Sequence, residues 1–405
     1  MGYFKDTLKG IGWMTGLRGV VRGLSVVKIA VLARILSPSQ FGVYGIALLI
    51  LGLLEVLTET GINVFLIQEK DGTEEYLDSA WAVSIIRGTL IAILILAAVP
   101  MTVWFFKSPE VTPLLYLVAG VAFVRGFINP MAVQFQKTLQ FKKEFFFQSA
   151  LFFVDAAVAI VLGHITKSES AMISGMLAAA GVEVILSFVI FKQKPKLKLD
   201  IIKVKKVINA GKWITGAGIF SYFFQNIDNL VVGRLLGTTS LGFYQQAYRI
   251  STLPVSEVGQ IFNKVTFPVF VKISDERERL KKAYQKTLLM VLGLVLPFGI
   301  IVALFSKPII LLLLGPSWLP AEPALKVLAI FGVLKSLLNS TYSLFLSVKL
   351  QKIVMFSELA GIIGIIILVF PLTSSYGTLG ASYAALFGSL LSLPVIFFNY
   401  RKIFR

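Results

Sequence analysis

Apolar residues run for about twenty positions or more at a time along this chain, and the polar breaks between the runs are short. Twelve such segments can be drawn, at about 11–36, 41–67, 79–104, 113–136, 146–164, 171–191, 209–236, 241–271, 283–306, 321–347, 354–373 and 380–400. Each approaches the roughly 20 residues that a helix needs to cross a bilayer core. The pattern predicts an all-α polytopic membrane protein with about 12 transmembrane helices. The breaks carry a second signal. If the N-terminus is cytoplasmic, alternate breaks and the two ends hold 24 Lys and Arg, whereas the opposite breaks hold only Lys107, Lys167 and Lys307. Basic residues collect on the cytoplasmic side, so both termini are expected there, which requires an even number of helices.

The pattern repeats. Ala33-Arg34-Ile35-Leu36-Ser37-Pro38-Ser39-Gln40-Phe41-Gly42-Val43-Tyr44-Gly45-Ile46-Ala47 returns at Gly233–Ala247 with Arg, Leu, Gly, Tyr and Ala in register and no gap. Upstream, Trp13-x-Thr15-Gly16 matches Trp213-x-Thr215-Gly216 at the same offset. Each half therefore begins on the same helix-loop-helix. Six segments per half, starting and ending inside, give the halves one orientation, a parallel repeat. The expected division is an N-terminal six-helix lobe over 1–191, a basic cytoplasmic linker over 192–208 and a C-terminal six-helix lobe over 209–405. The linker, with seven Lys between 192 and 206, reads as a tether. Ile201, Val204 and Ile208 interleaved with lysines also fit a short interfacial helix. A duplicated, strongly apolar chain of this kind points to a two-lobed transporter.

Composition supports this reading and changes it at one point. Hydrophobic residues make up 56% of the 405, and mean hydropathy is +0.82. The net charge of +18 could suggest nucleic acid, but its concentration in the cytoplasmic breaks explains it as topology and attraction to anionic membrane lipids. Cys is absent, so disulfides are excluded. No start resembling a signal peptide is present. The longest external break, from Lys307 to Glu322, is largely apolar; Gly315-Pro316 should break a helix there and Trp318 suits the outer interface.

Charges inside the apolar segments are costly and so mark candidate sites. Twelve are basic: Arg18, Arg22, Lys28, Arg34, Arg87, Arg125, Lys212, Arg234, Arg249, Lys264, Lys326 and Lys335. Seven are acidic: Glu55, Glu59, Asp155, Glu183, Asp228, Glu257 and Glu358. A basic excess suits a hydrated cavity that receives an anion. Arg18 and Arg22 share a helix face and Lys28 lies further out. Guanidinium forks bind phosphate oxygens in pairs, so Arg18, Arg22, Lys28 and Arg249 are the candidate substrate-binding set, with an internal ion pair such as Arg22–Glu59 as the alternative. Glu55 and Glu59, one turn apart, read as a coupling site for a proton or cation, or as charge-balancing partners. Asp228, in Gln225-Asn226-Ile227-Asp228-Asn229, is a third coupling or ion-pair candidate, and its oxygens could in principle coordinate Na⁺. Arg34 and Arg234, Gly42 and Gly242, and Tyr44 and Tyr244 are repeat-equivalent, and their expected roles are in loop geometry and packing. His164 stands alone and is read as incidental. Phe145-Phe146-Phe147 and Phe152-Phe153 read as lipid-facing.

No Walker loop, GxSxG, paired His or metal-ligand cluster is present. The chain is not expected to be an enzyme or to hold a cofactor or metal, and its energy would come from an ion gradient, the membrane potential or the substrate gradient. Ala33–Tyr44, then Ile227–Tyr244 with Gln245-Gln246-Ala247-Tyr248-Arg249, then Leu314-Gly315-Pro316-Ser317-Trp318 with Ala321 and Pro323, resemble three recurring stretches of the polysaccharide flippase family. That family belongs to the multidrug/oligosaccharidyl-lipid/polysaccharide exporter superfamily. The resemblance implies two six-helix lobes in a V with a central cavity, in the plasma (inner) membrane. It implies flipping of an undecaprenyl-diphosphate-linked oligosaccharide, a surface polysaccharide precursor, in company with a polysaccharide polymerase or glycosyltransferases. The alternatives are a drug/cation exporter of the same superfamily, which should prefer an acidic cavity, and a major-facilitator carrier, whose basic second loop is here the acidic Glu69–Asp78. An integral membrane glycosyltransferase or ligase would need a sizeable external loop.

Overall fold

The computed structural model describes residues 2–59, 73–198 and 200–404 and contains no strand among them. The first half comprises α1 (Gly2–Ile35), α2 (Pro38–Leu57), α3 (Thr73–Phe106), α4 (Val111–Arg125), α5 (Phe141–Thr166) and α6 (Ser170–Ile190). The next helical stretch, Ile201–Lys272, is broken at Gly237, where φ is 79° and ψ −177°. It therefore counts as α7 (201–236) and α8 (238–272). Then come α9 (Arg277–Leu304) and α10 (Glu322–Ser347). The stretch Gln351–Leu390 breaks at Gly377, with φ 61°, into α11 (351–376) and α12 (378–390), which Ser392–Ile403 extends. These helices coincide with the apolar segments of the sequence. Six described helical stretches are by themselves long and apolar enough to cross a membrane, and the chain is a multi-pass membrane protein. Residues 201–208, one reading of which was a separate interfacial helix, are the opening turns of α7. Residues 69–72 of the acidic loop and the side chains of Lys212, Glu257 and Lys264 lie outside the described residues.

The repeat shows in the backbone. Ser37, between α1 and α2, accepts a bond from Gln40 N while Gln40 Oε1 accepts one from Ser37 N, a reciprocal capping box followed by Pro38 at the first turn. Two hundred residues on, the break is made by Gly237, whose backbone angles only glycine adopts without strain. The helices bend at the same place by different chemistry. Gln40 also donates to Lys167 O and Glu169 Oε2, each at 2.9 Å, tying the α1–α2 turn to the α5–α6 turn.

The chain forms two compact units, Met1–Gln225 and Asn226–Arg405. In the first, α5 packs on α1 and α6, and α4 packs on α3, α6 and α2. The α3–α4 crossing is tight: a Cβ on Gly88 would lie 2.7 Å from Ala122 O and 2.9 Å from Gly126 Cα, so only small residues allow it. The opening of α7 belongs to this unit, with the Tyr222 hydroxyl donating to Leu49 O on α2. The connection into it is fastened rather than loose. Phe191 is buried with Leu77, Phe135 and Phe147. Asn129 Nδ2 donates to Gln193 O at 2.9 Å, and Lys196 N donates to Asp78 Oδ1 at 2.7 Å. The basic linker thus begins as a strap on the first unit. The aromatic run on α5 divides: Phe146 is 58% exposed as expected for a lipid-facing ring, but Phe147 is only 5% exposed and fills the core.

In the second unit α10 packs on α9 and on the Gln351–Leu390 helices. Gly315, with φ 103°, ends the preceding short helix as the sequence indicated and starts a 3-10 turn, Pro316–Ala321. Trp318 on that turn is 0% exposed and stacks edge-on against Phe243 at 6.0 Å. It is a core residue of the second unit, not an interfacial anchor. An apolar loop longer than its neighbours folds back because its own side chains must be covered.

Candidate functional site

The first unit encloses a cavity of about 350 Å³ among α2, α3, α4, α5 and α6. Six ionisable side chains line it: Glu55 and Glu59 from α2 and its end, Arg87 from α3, Arg125 from α4, Glu144 from α5 and Glu183 from α6. Arg87 and Arg125 each immediately precede a glycine of the tight Gly88–Gly126 crossing, and both line the cavity. Arg87 closes the end of α2, donating from Nε to Thr58 O at 2.9 Å and from Nη2 to Glu55 O at 2.8 Å. Carbonyls at a helix C-terminus lack intrahelical partners and attract a cation. The same Nη2 lies 3.3 Å from Glu59 Oε2, and Arg125 Nη1 lies 3.5 Å from Glu55 Oε1. Glu55 and Glu59 are thus ion-paired, as one sequence reading had it, with Arg125 on α4 and Arg87 on α3. Glu183 senses the Arg125 charge through space. Ile91, Val133 and Phe135 complete the wall, and the paired side chains remain 27–41% exposed.

The expected cationic set separates. Lys28 is buried, at 9% exposure, and its Nζ lies 2.7 and 2.8 Å from the two oxygens of Asp155 on α5. Its charge is neutralised inside the helix bundle. Arg22, by contrast, is exposed, and Arg18 and Arg249 are half-buried. The two arginines of α1 keep to one face, and Lys28 is not part of it.

In the second unit Asp228 is 6% exposed and fully engaged. The Tyr244 hydroxyl donates to Oδ2 at 2.7 Å, and Asn229 donates to Oδ1 from N at 2.8 Å and from Nδ2 at 3.0 Å. Lys335 on α10 donates to the Tyr248 hydroxyl at 3.0 Å and lies 5.5 Å from the centre of the Phe331 ring. Asp228 is close enough to feel that ammonium. This is a packed polar network. Tyr244 is fully buried within it, whereas its repeat mate Tyr44 is half-buried and lies 3.9 Å from Met176 Sδ. Gly42 and Gly242 are buried at their equivalent helix starts, Arg34 is exposed and Arg234 half-buried. Reading the sequence singled out neither Arg87, Arg125, Glu144 nor Glu183 as site residues. The first, second and fourth appeared only as intramembrane charges, and Glu144 fell in a cytoplasmic break. The available signal was that Arg87 and Arg125 each sit beside a glycine on neighbouring helices.

Among the described residues no group of three or more His, Cys, Asp or Glu could hold a metal ion. A family model described as "Polysaccharide biosynthesis protein" matches residues 31–323. The chain is 28% identical over 351 residues to the lipopolysaccharide biosynthesis protein WzxC of Escherichia coli (strain K12), covering 85% of this chain and 70% of that one. It is 25% identical to the teichuronic acid biosynthesis protein TuaB of Bacillus subtilis (strain 168), covering 85% of this chain and 71% of the relative. Its fold is similar to that of the lipid II flippase MurJ in an inward closed conformation, with TM-score 0.69, 16% identity and 96% and 88% of the two chains covered. It is also similar to a multidrug resistance MATE family transporter in an inward-facing conformation, with TM-score 0.71, 16% identity and 94% of each chain covered. The family model spans well over half of this chain, across the repeat and the third recurring stretch, and the chain belongs to the polysaccharide biosynthesis protein family.

Proposed function

We propose that this protein flips a polyprenyl-diphosphate-linked oligosaccharide, a precursor of a surface polysaccharide, across the plasma membrane by alternating access. The observation that carries this reading is the family match over 31–323, with relatives that are named for building lipopolysaccharide and teichuronic acid. In this reading 1–191 and 209–405 are repeated lobes joined by the basic stretch 192–208, and both termini are cytoplasmic. The charge asymmetry of the breaks supports that orientation. Arg18 and Arg22 on one face of α1 and Arg249 on α8 attract the diphosphate, while the lipid tail stays in the bilayer. Lys28 is left out of this set because Asp155 already holds it. No step of bond making is needed, so the energetic problem is moving a charged headgroup and glycan through an apolar layer. Arginines that meet the phosphates lower that barrier, each charged hydrogen bond contributing about 1.5–3 kcal/mol.

The test is flipping of a fluorescent polyprenyl-diphosphate oligosaccharide in proteoliposomes, read by quenching with a reagent that cannot cross the membrane. Wild type should expose the probe faster than protein-free vesicles. Arg18→Ala/Arg22→Ala should slow it about tenfold or more, and Arg→Lys should restore part, since the fork is lost. No acceleration by wild type would overturn the function, and full speed in the double variant would remove α1 from the substrate path.

A further inference from the structure

The stretch that follows α6 is basic, exposed and fixed in place. Lys192, Lys194, Lys196 and Lys198 are all exposed, while Phe191 and Pro195 are buried. Three bonds hold its backbone to the first unit. Asn129 Nδ2 donates to Gln193 O at 2.9 Å, Lys196 N to Asp78 Oδ1 at 2.7 Å and Asp200 N to Ser79 Oγ at 3.4 Å. The strap contributes only main-chain atoms to this fastening, so its lysine side chains are left available. None of the four ammoniums makes an ion pair among the described residues. Two acids stand beside them: Asp78 turns Oδ1 to the Lys196 amide, and Asp200 is exposed beyond the last lysine. A run of like charges repels itself and is normally unstructured. Here the body of the protein holds four together, and an anionic partner would offset that repulsion.

The position of the strap says which anion. Both α5 and α6 are long and apolar enough to span a membrane. Lys192 comes two residues after α6 ends at Ile190, so the strap begins where the bilayer core gives way to headgroups. At the start of α5, Lys142 and Lys143 are exposed too. Lys143 is one turn from Phe147, which is buried with Phe191 at the head of the strap. Lys142 is one turn from the lipid-facing ring of Phe146, and its Nζ lies 5.9 Å from the centre of the Trp13 ring. Between Lys196 and Lys198 stands Leu197, which is 68% exposed. A bilayer takes such a side chain among its acyl chains while flexible lysines on either side reach the phosphates. We infer that the strap, with Lys142 and Lys143, is a binding surface for anionic phospholipid headgroups of the leaflet it faces. It lies on other elements than Arg18, Arg22 and Arg249, and it does not rest on the flippase reading. Lipid bound there pins the segment just before α7 to the membrane surface.

The test uses the whole chain. It has no cysteine, so Leu197→Cys carries a single fluorophore on the strap. The labelled protein is placed in phosphatidylcholine nanodiscs with a small share of spin-labelled lipid, either phosphatidylglycerol or phosphatidylcholine. Spin-labelled phosphatidylglycerol should quench the fluorophore several-fold more than the same share of spin-labelled phosphatidylcholine, and raised salt should narrow the difference. A lysine close to an anionic surface contributes up to about fivefold in affinity, so Lys192→Gln/Lys194→Gln/Lys196→Gln/Lys198→Gln should erase the preference. That variant keeps every backbone bond that fastens the strap, and an unchanged elution volume in size exclusion checks the fold. Lys282→Gln/Lys286→Gln/Lys349→Gln/Lys352→Gln removes the same charge from exposed positions of the second unit and should leave the preference standing. Equal quenching by the two lipids in the otherwise unaltered chain, or equal loss in the two quadruple variants, would overturn the site. Relief of quenching by a trace of polyprenyl diphosphate would assign the strap to the transported lipid, and relief by polyglutamate at matched ionic strength would assign it to an acidic protein. Either result overturns the phospholipid assignment, and quenching that survives both additions supports it. No transport is measured, so a failed flipping assay leaves this result as it stands.

Discussion

Lys28 and Asp228 occupy the same place in the two halves, two hundred residues apart and each beside its Arg-containing turn. Both are buried, at 9% and 6% exposure, yet they carry opposite charge. Lys28 is neutralised by a carboxylate from another helix, Asp155. Asp228 is satisfied by hydroxyl and amide donors, with Tyr244 chief among them. The duplication kept a polar position inside an apolar helix but not its sign or its solution. The surrounding charges diverged as well. Those of the first unit surround a cavity, and those of the second are filled in by aromatic rings, Tyr248 and Phe331 packing around Lys335. A repeat therefore predicts where a transporter places buried polarity better than what that polarity does.

The comparison can be broken most forcefully at the ion pair. Asp155→Ala removes the carboxylate that neutralises a buried ammonium, and breaking such a pair costs about 3–5 kcal/mol. Replacing both partners, as Lys28→Met/Asp155→Leu, should cost far less, because a buried pair and a well-packed apolar pair are close in free energy. Thermal unfolding in detergent, followed by size exclusion, gives the ranking. If Asp155→Ala unfolds at the wild-type temperature, Lys28 is not buried as a charged group.

A smaller effect separates the two repeat tyrosines. Tyr244→Phe removes a donor from a buried carboxylate and should destabilise by about 1–3 kcal/mol. Tyr44→Phe acts at a half-buried site, where the hydroxyl lies 3.9 Å from Met176 Sδ, and should cost less than Tyr244→Phe. Equal losses would restore the symmetry that the structure denies.

The last effects concern the two turns. Gly237→Ala forces a side chain onto a backbone with φ 79°, at a cost of about 1–3 kcal/mol, and Ser37→Ala removes a cap worth about 1 kcal/mol. Exchanging the devices, with Ser37→Gly in the first turn, should be nearly neutral, since glycine is itself a tolerated cap residue. Hydrogen exchange at the start of α2 would reveal fraying if it is not.

Much of this fold was legible because its signals are local. Gly237 and Gly315 break helices by their own backbone freedom, and Ser37, Pro38 and Gln40 cap α2 among themselves. The candidate site was less legible for a physical reason. Lys28 meets Asp155 across 127 residues of sequence, and nothing in one helix says which face meets its neighbour. In a soluble helix polarity marks the outside. In a membrane helix lipid and core are equally apolar, so Phe146 and Phe147 look alike in sequence while one faces out and the other in. Trp318 was misread for the same reason: a ring suited to an interface is equally suited to a packed loop.

The strap that follows α6 has a mechanical meaning. Phe191 is set into the core, Gln193 and Lys196 are tied by their backbones to Asn129 and Asp78, and α7 starts at Ile201. The segment with seven lysines therefore has almost no slack. Any displacement of α7 is transmitted as tension to Asn129, which lines the charged cavity itself. A chain lengthened by a flexible insertion between Lys194 and Lys198 would keep both units and every ion pair, yet would behave as a lever whose fulcrum has been loosened.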